Sequence, residues 1–224
     1  MIAGIYGASA TTMALFARQA GRARGQVIDL SLLEPMFSVL GPEAAIHAVT
    51  GKIKQRVGSA SNTASPRNVY KCADGKYLAL SGSTPKVARR IFEVIGRADM
   101  NDDARFATNS DRVRHRALVD GAISEWFASR NSIDALNVMR EEGATVGPIY
   151  NIADAMADPH FDDREIIVDV EDAEFGTLPM HNIVPRLSAT PGTWRRPAPG
   201  LGEHTREVLQ AAGVDDAAIA AVMP

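Results

Sequence analysis

The side chains able to do chemistry in this chain are few and dispersed. Five histidines, His47, His115, His160, His181 and His204, stand too far apart for the spacing of a metal site. No metal is expected. Cys72 is the only cysteine, so one chain can build neither a disulfide nor a cysteine-based zinc site, and such usage suits a reducing cytoplasm. Glu203 and His204 are an adjacent acid and imidazole, but they open a helix, and helix-start chemistry accounts for both. Glu171, Asp172 and Glu174 read as a solvated turn.

Charge and hydropathy narrow the partners. The formal net charge is -3, and no run of lysine and arginine is interleaved with aromatics, so nucleic acid is not expected as a partner. No stretch is apolar and long enough for a membrane span, and residues 1–16 lack the basic start and dense apolar run of a signal peptide. A globular protein of the cytoplasm is the expectation.

The elements that must position any site follow from periodicity. Ile5, Ala8, Thr12, Leu15, Phe16 and Gln19 recur at intervals of three and four, predicting a helix whose pattern is already under way at Met1. Residues 26–32 predict a short buried strand, and 33–49 a helix divided at Gly41-Pro42. Residues 51–68 read as a loop and a domain boundary. Asp74-Gly75 between β-prone runs predicts a hairpin. Thr84-Pro85 predicts a capped helix stopping at Gly96. A second helix should follow Asn109 with Val113, Leu118, Ile123, Trp126 and Phe127 inward, and a third should run from Ser132 to Gly143. Thr145 to Tyr150 suits an edge strand, because Pro148 cannot donate to a ladder. Asn151 should cap a short helix ending before Asp158-Pro159. Residues 166–170 and 175–180 predict a strand pair, 185–199 an irregular proline-rich stretch, and a last helix is expected from near Gly202 to Ala212.

Several motifs, taken together and in order, give the chain a family likeness. Arg18 with the run Gly21 to Glu34, then Pro66, Tyr70, Asp74-Gly75 and Tyr77, then Gly147-Pro148-Ile149-Tyr150, Asp158-Pro159-His160 and Leu201-Gly202-Glu203-His204-Thr205, resemble the C-terminal part of a class III coenzyme A transferase of the CaiB/BaiF type. The resemblance implies an α/β fold: part of a Rossmann-type large domain over residues 1–57, a smaller α+β domain over 58–163, and a return segment, 164–224, packing on the large domain. It also implies an interlocked dimer, a CoA thioester as substrate with no permanently bound cofactor, and a carboxylic acid as acceptor.

In that family an aspartate attacks the acyl-CoA thioester, dividing one hard exchange into easier steps. The resemblance puts this aspartate at or just before Met1, and no aspartate precedes Asp29. The expectation is a C-terminal fragment or split subunit, inactive alone and completed by an N-terminal half. The resemblance also makes residues 58–65 the counterpart of a loop that covers the reacting aspartate, with Gly58, Ser59, Ser61, Asn62 and Thr63 as candidate site residues. By composition alone the same stretch reads as an inert linker. A 2-methylacyl-CoA racemase of the same superfamily would want a glutamate where Thr84 stands, and a helix cap is all that Thr84 needs to be. A non-catalytic dimerisation or binding protein that keeps the fold is the other alternative.

Overall fold

Glycine, alanine and threonine are interspersed with larger apolar residues through α1 (Ile2–Gln19), whose last turn carries Arg18, a charge the helix dipole favours there. This computed structural model describes residues 1–223, in two compact units divided between Pro148 and Ile149. Beyond α1 the chain is extended, and residues 26–32 pair with no strand among the described residues. The expected strand is therefore corrected: alternation of apolar residues supplies the shape, but only a neighbouring ladder makes a strand, and Val27 and Leu32 are 93% and 80% exposed. Ser31 and Glu34 exchange hydrogen bonds ahead of α2 (Leu33–Ser38). Gly41, at φ +68°, separates it from α3 (Glu43–Thr50), so the helix divides where Gly41-Pro42 predicted.

The core of the first unit lies further along. β1 (Arg67–Lys71) and β2 (Tyr77–Ser81) form the hairpin around Asp74-Gly75, with Gly75 at φ +82°. β3 (Thr145–Pro148) adds antiparallel to the other side of β2, leaving Pro148 on an edge strand. Tyr70, Leu78 and Leu80 project from one sheet face into a core completed by α4 (Pro85–Val94), α6 (Arg116–Ala128) and α7 (Ser132–Glu141), while α5 (Asn109–Arg114) buries Arg112. Thr84 caps α4 by accepting from the Val87 N–H. Phe127 is fully buried, stacked on Tyr70 with centroids 5.3 Å apart and meeting the Trp126 edge at 5.1 Å. Burial of each such side chain contributes about 1.5–3 kcal/mol.

The helix expected after Asn109 is two helices. His115, at φ -103° and ψ 26°, breaks the run. Val119, Ile123, Trp126 and Phe127 then face inward, while Leu118 is 50% exposed, contrary to expectation.

The hairpin turn is tied to α7 by Asp74. Its carboxylate accepts from the Ser132 hydroxyl at 2.6 Å and the Ser132 N–H at 2.9 Å. These bonds, the hydroxyl's first, hold the Asp74 carboxyl below the usual carboxylate range. A carboxylate with a lowered folded-state pKa stabilises above its unfolded value of about 3.9 and loses that contribution as pH falls through the folded one. Asp74→Asn should therefore flatten the acid limb: in urea titrations at about pH 5 and about pH 3, the wild-type midpoint falls further than that of the variant. Burial, helped by the Asp74 charge, pushes the neighbouring Cys72 thiol up.

The second unit opens with α8 (Ile152–Ala157), where Asn151 and Asp154 form a reciprocal capping box, followed by α9 (Pro159–Asp163), which the sequence reading did not anticipate. β4 (Ile167–Asp172) and β5 (Gly176–His181) pair antiparallel as predicted. Residues 182–204 carry no regular element longer than a turn. α10 (Thr205–Ala211) is followed by α11 (Asp216–Val222), capped by Asp215 and burying Ile219. No helix of the described residues is long and apolar enough to cross a membrane.

Candidate active-site loop and the sheet beside it

The loop singled out by sequence is fastened to the sheet and to α5. Gly58 takes φ +65°, a turn that suits glycine, and lets the chain double back so that the Ser61 N–H donates to the Arg67 carbonyl at 3.1 Å. Ser59 donates its hydroxyl to Asn68 Oδ1 at 2.6 Å. Asn68 in turn donates through Nδ2 to Asp120 at 2.9 Å, and the Tyr70 hydroxyl donates to the other Asp120 oxygen at 2.6 Å. Burial and the Asp120 carboxylate push the Tyr70 phenol far up, so it stays a donor. Asn62 donates to the Gln55 carbonyl at 3.1 Å, and the Ser61 and Thr63 hydroxyls pair at 3.2 Å.

The far end of the loop is anchored from below. Asn109 donates to the Thr63 carbonyl at 2.8 Å and accepts from the Ser65 N–H at 3.2 Å. Arg112, 1% exposed, donates to the carbonyls of Ser65 at 2.7 Å, Phe106 at 3.1 Å and Ser83 at 3.3 Å. Pro66 accepts from the Gly82 N–H at 2.7 Å, and a methyl group on Gly82 would lie 2.4 Å from Ile91 and 3.0 Å from Pro66, so the two segments approach too closely for a side chain.

Gly58, Ser59, Ser61, Asn62 and Thr63 are thus gathered at one end of the sheet. Among the described residues none of the three hydroxyls donates to a histidine or carboxylate, so no general base activates them as nucleophiles there. Their chemistry is hydrogen bonding. Arg67, Asn68, Asn109, Arg112 and Asp120 were missed by sequence reasoning. Arg67 carried a signal, since strand alternation from the core residue Tyr70 places it on the opposite face. Arg112 carried none, because one more arginine in a charged helix gives no hint of burial.

In the second unit, two motifs separated in sequence meet: the Tyr150 hydroxyl donates to Asp158, which also caps α9 by accepting from the His160 N–H. His204 Nδ1 lies 3.9 Å from Glu203, whose other oxygen accepts from the Gly200 N–H. No three His, Cys, Asp or Glu side chains among the described residues are grouped to hold a metal ion.

The mixed helix-and-strand architecture is that of CaiB/BaiF proteins: a solved CaiB/BaiF family protein from Brucella suis superposes with a TM-score of 0.75 at 28% identity, covering 96% of this chain and 55% of that one. The model of CoA-transferase family III matches residues 1–205, and the chain belongs to that family. It is 34% identical over 209 residues to the succinyl-CoA–D-citramalate CoA-transferase of Chloroflexus aurantiacus, covering 93% of this chain and 52% of that protein. It is 36% identical to the succinate–glutarate CoA-transferase of Agrobacterium fabrum, covering 92% and 51%. The chain spans about half the length of these relatives.

Proposed function

We propose that this chain supplies the C-terminal half of a class III CoA transferase, which moves CoA from an acyl-CoA to a carboxylic acid, with a complementary N-terminal half providing the nucleophilic aspartate. The aspartate would attack the thioester carbonyl and expel CoA thiolate, leaving an acyl anhydride. The thiolate would return to the aspartyl carbonyl, releasing the first acid. The second acid would then displace CoA in the reverse sequence. Residues 58–65 would cover these intermediates, which water destroys. Residues 1–57 would complete the large domain, 58–163 form the small one, and 164–224 return. CoA thioesters make the cytoplasm its place of work. The names of the relatives favour dicarboxylic acids.

The observation that carries this reading is the surface of residues 1–57. Pro35 alone is buried there, while Phe16, Leu33 and Phe37 are 66%, 74% and 57% exposed. Large apolar side chains exposed in this number mark an interface, with an N-terminal half or within an interlocked dimer. Co-expression with an aspartate-bearing N-terminal half should give a stable complex that exchanges CoA between succinyl-CoA and a second dicarboxylic acid. A stable complex without exchange would favour the non-catalytic reading. Proton exchange at the α-carbon of a branched acyl-CoA would favour the racemase.

A further inference from the structure

The sheet has a second face. Because Tyr70, Leu78 and Leu80 point into the core, the residues alternating with them point away, and the strand register arranges them in rows. Arg67, Ser81 and Thr145 form one row across the three strands. Val69, Ala79 and Gly147 form the next. The small second row leaves a trough, a cavity of about 420 Å³ that also reaches Ser59 of the loop. A Cβ added to Gly147 would meet nothing within 4 Å. This size lies within the usual range of small-molecule sites.

The electrostatics of the trough are one-sided. No acidic residue lines it, and the Arg67 guanidinium has no hydrogen bond or ion pair among the described residues. Two hydroxyls, Ser81 and Thr145, stand in its row. A planar cation with hydroxyl neighbours at one end and an apolar floor of valine, alanine and glycine beyond it fits a carboxylate carried on a short methylene chain.

We propose that this trough binds the remote carboxylate of a short dicarboxylic acid, with Arg67 as the residue that selects two carboxylates over one. The proposal rests on the transferase reading only for the role of the acid; binding is a property of this chain alone. A phosphate ligand is disfavoured because a single guanidinium supplies the charge and the floor offers no donor.

The test is a titration of the isotopically labelled full chain, followed by the amide resonances of Arg67, Ser81, Thr145 and Gly147 and by the Arg67 side-chain N–H. Succinate should shift them saturably. Butyramide, of similar length with no carboxylate, should bind at least about tenfold more weakly, the loss expected of one charge-assisted contact, whereas butyrate, whose single carboxylate still reaches Arg67, should bind the isolated chain about as succinate does. Selection of two carboxylates over one belongs to the reconstituted complex, where the reacting carboxylate is held elsewhere: there succinate should be preferred to butyrate as acceptor, and Arg67→Gln should erase the preference. Arg67→Gln should abolish saturation. Gly147→Phe, β-prone and compatible with the local backbone, should do the same by filling the floor while Arg67 remains, and both variants should keep the wild-type urea midpoint. Equal affinity for butyramide, retained affinity in Arg67→Gln, absence of any saturable shift, tighter binding of inorganic phosphate than of succinate, or equal use of butyrate and succinate by an active complex would each overturn the proposal. Succinate binding without CoA exchange in the reconstituted complex would sink the transferase reading and leave the pocket standing. Exchange without binding here would do the reverse.

Discussion

Arg112→Ala is expected to cost the first unit about 3–5 kcal/mol, a large share of the roughly 5–15 kcal/mol that holds a typical domain together. The guanidinium is 1% exposed and donates to three backbone carbonyls, those of Ser65, Ser83 and Phe106, which belong to three separate segments. No carboxylate accepts a hydrogen bond from it among the described residues, so its donors are met by peptide carbonyls, with the Asp111 charge nearby as a smaller favourable contribution. Burial lowers its pKa, yet an arginine remains protonated at any ordinary pH. Truncation would leave buried carbonyls without donors, each costing about 1–3 kcal/mol, and open a cavity beside Phe106. Arg112→Lys keeps the charge but not the fork: one ammonium cannot hold three carbonyls that a planar guanidinium reaches through separate nitrogens. The lysine variant should fold with an intermediate urea midpoint and show faster hydrogen exchange at Ser65, whose anchor it loosens. If Arg112→Ala unfolds within about 0.5 kcal/mol of the wild type, the clamp does not exist.

What was legible beforehand, and what was not, divides along one physical line. Local rules wrote Thr84-Pro85 and Asp74-Gly75 into the chain, because a cap and a tight turn are decided by two or three neighbouring residues. α1, α2 and α3, the β4–β5 pair and the irregular stretch before α10 were likewise visible in spacing and proline content. Residues 26–32 show where this reasoning stops. Their alternation is real, but pairing depends on a partner segment that no local pattern names. Leu118 fails for a different reason: within α6 the buried Val119, Ile123, Trp126 and Phe127 are spaced i, i+4, i+7 and i+8, and Leu118, one position before that stripe, points about 100° away from it. α11 was hidden by its alanines, which carry helix propensity without an amphipathic signature. The candidate loop was legible only through family likeness, since its small polar residues suit a linker as well. Its fastening by Asn109 and Arg112 joins residues more than 40 positions apart, beyond the reach of any spacing rule.

Phe16→Asp should leave the fold alone and disable association. Phe16 is 66% exposed and Met13, one turn earlier, 69%. A charge at such a site removes no buried contact, so the unfolding free energy from urea titration should stay within about 0.5 kcal/mol of the wild type. Binding to the N-terminal half should weaken by about 2 kcal/mol or more, roughly thirtyfold, because a large aromatic buried at an interface is the type of residue that dominates affinity. Phe127→Ala provides the opposite pattern. Its ring lies wholly inside the core against Tyr70 and Trp126, so about 3–5 kcal/mol of stability should go. The pair of variants separates two meanings of an apolar residue in one chain: Phe127 answers to its own core, and Phe16 to a surface the first unit does not cover. Should Phe16→Asp destabilise the isolated chain as Phe127→Ala does, α1 packs within the unit in solution, and the interface assigned to residues 1–57 falls with it.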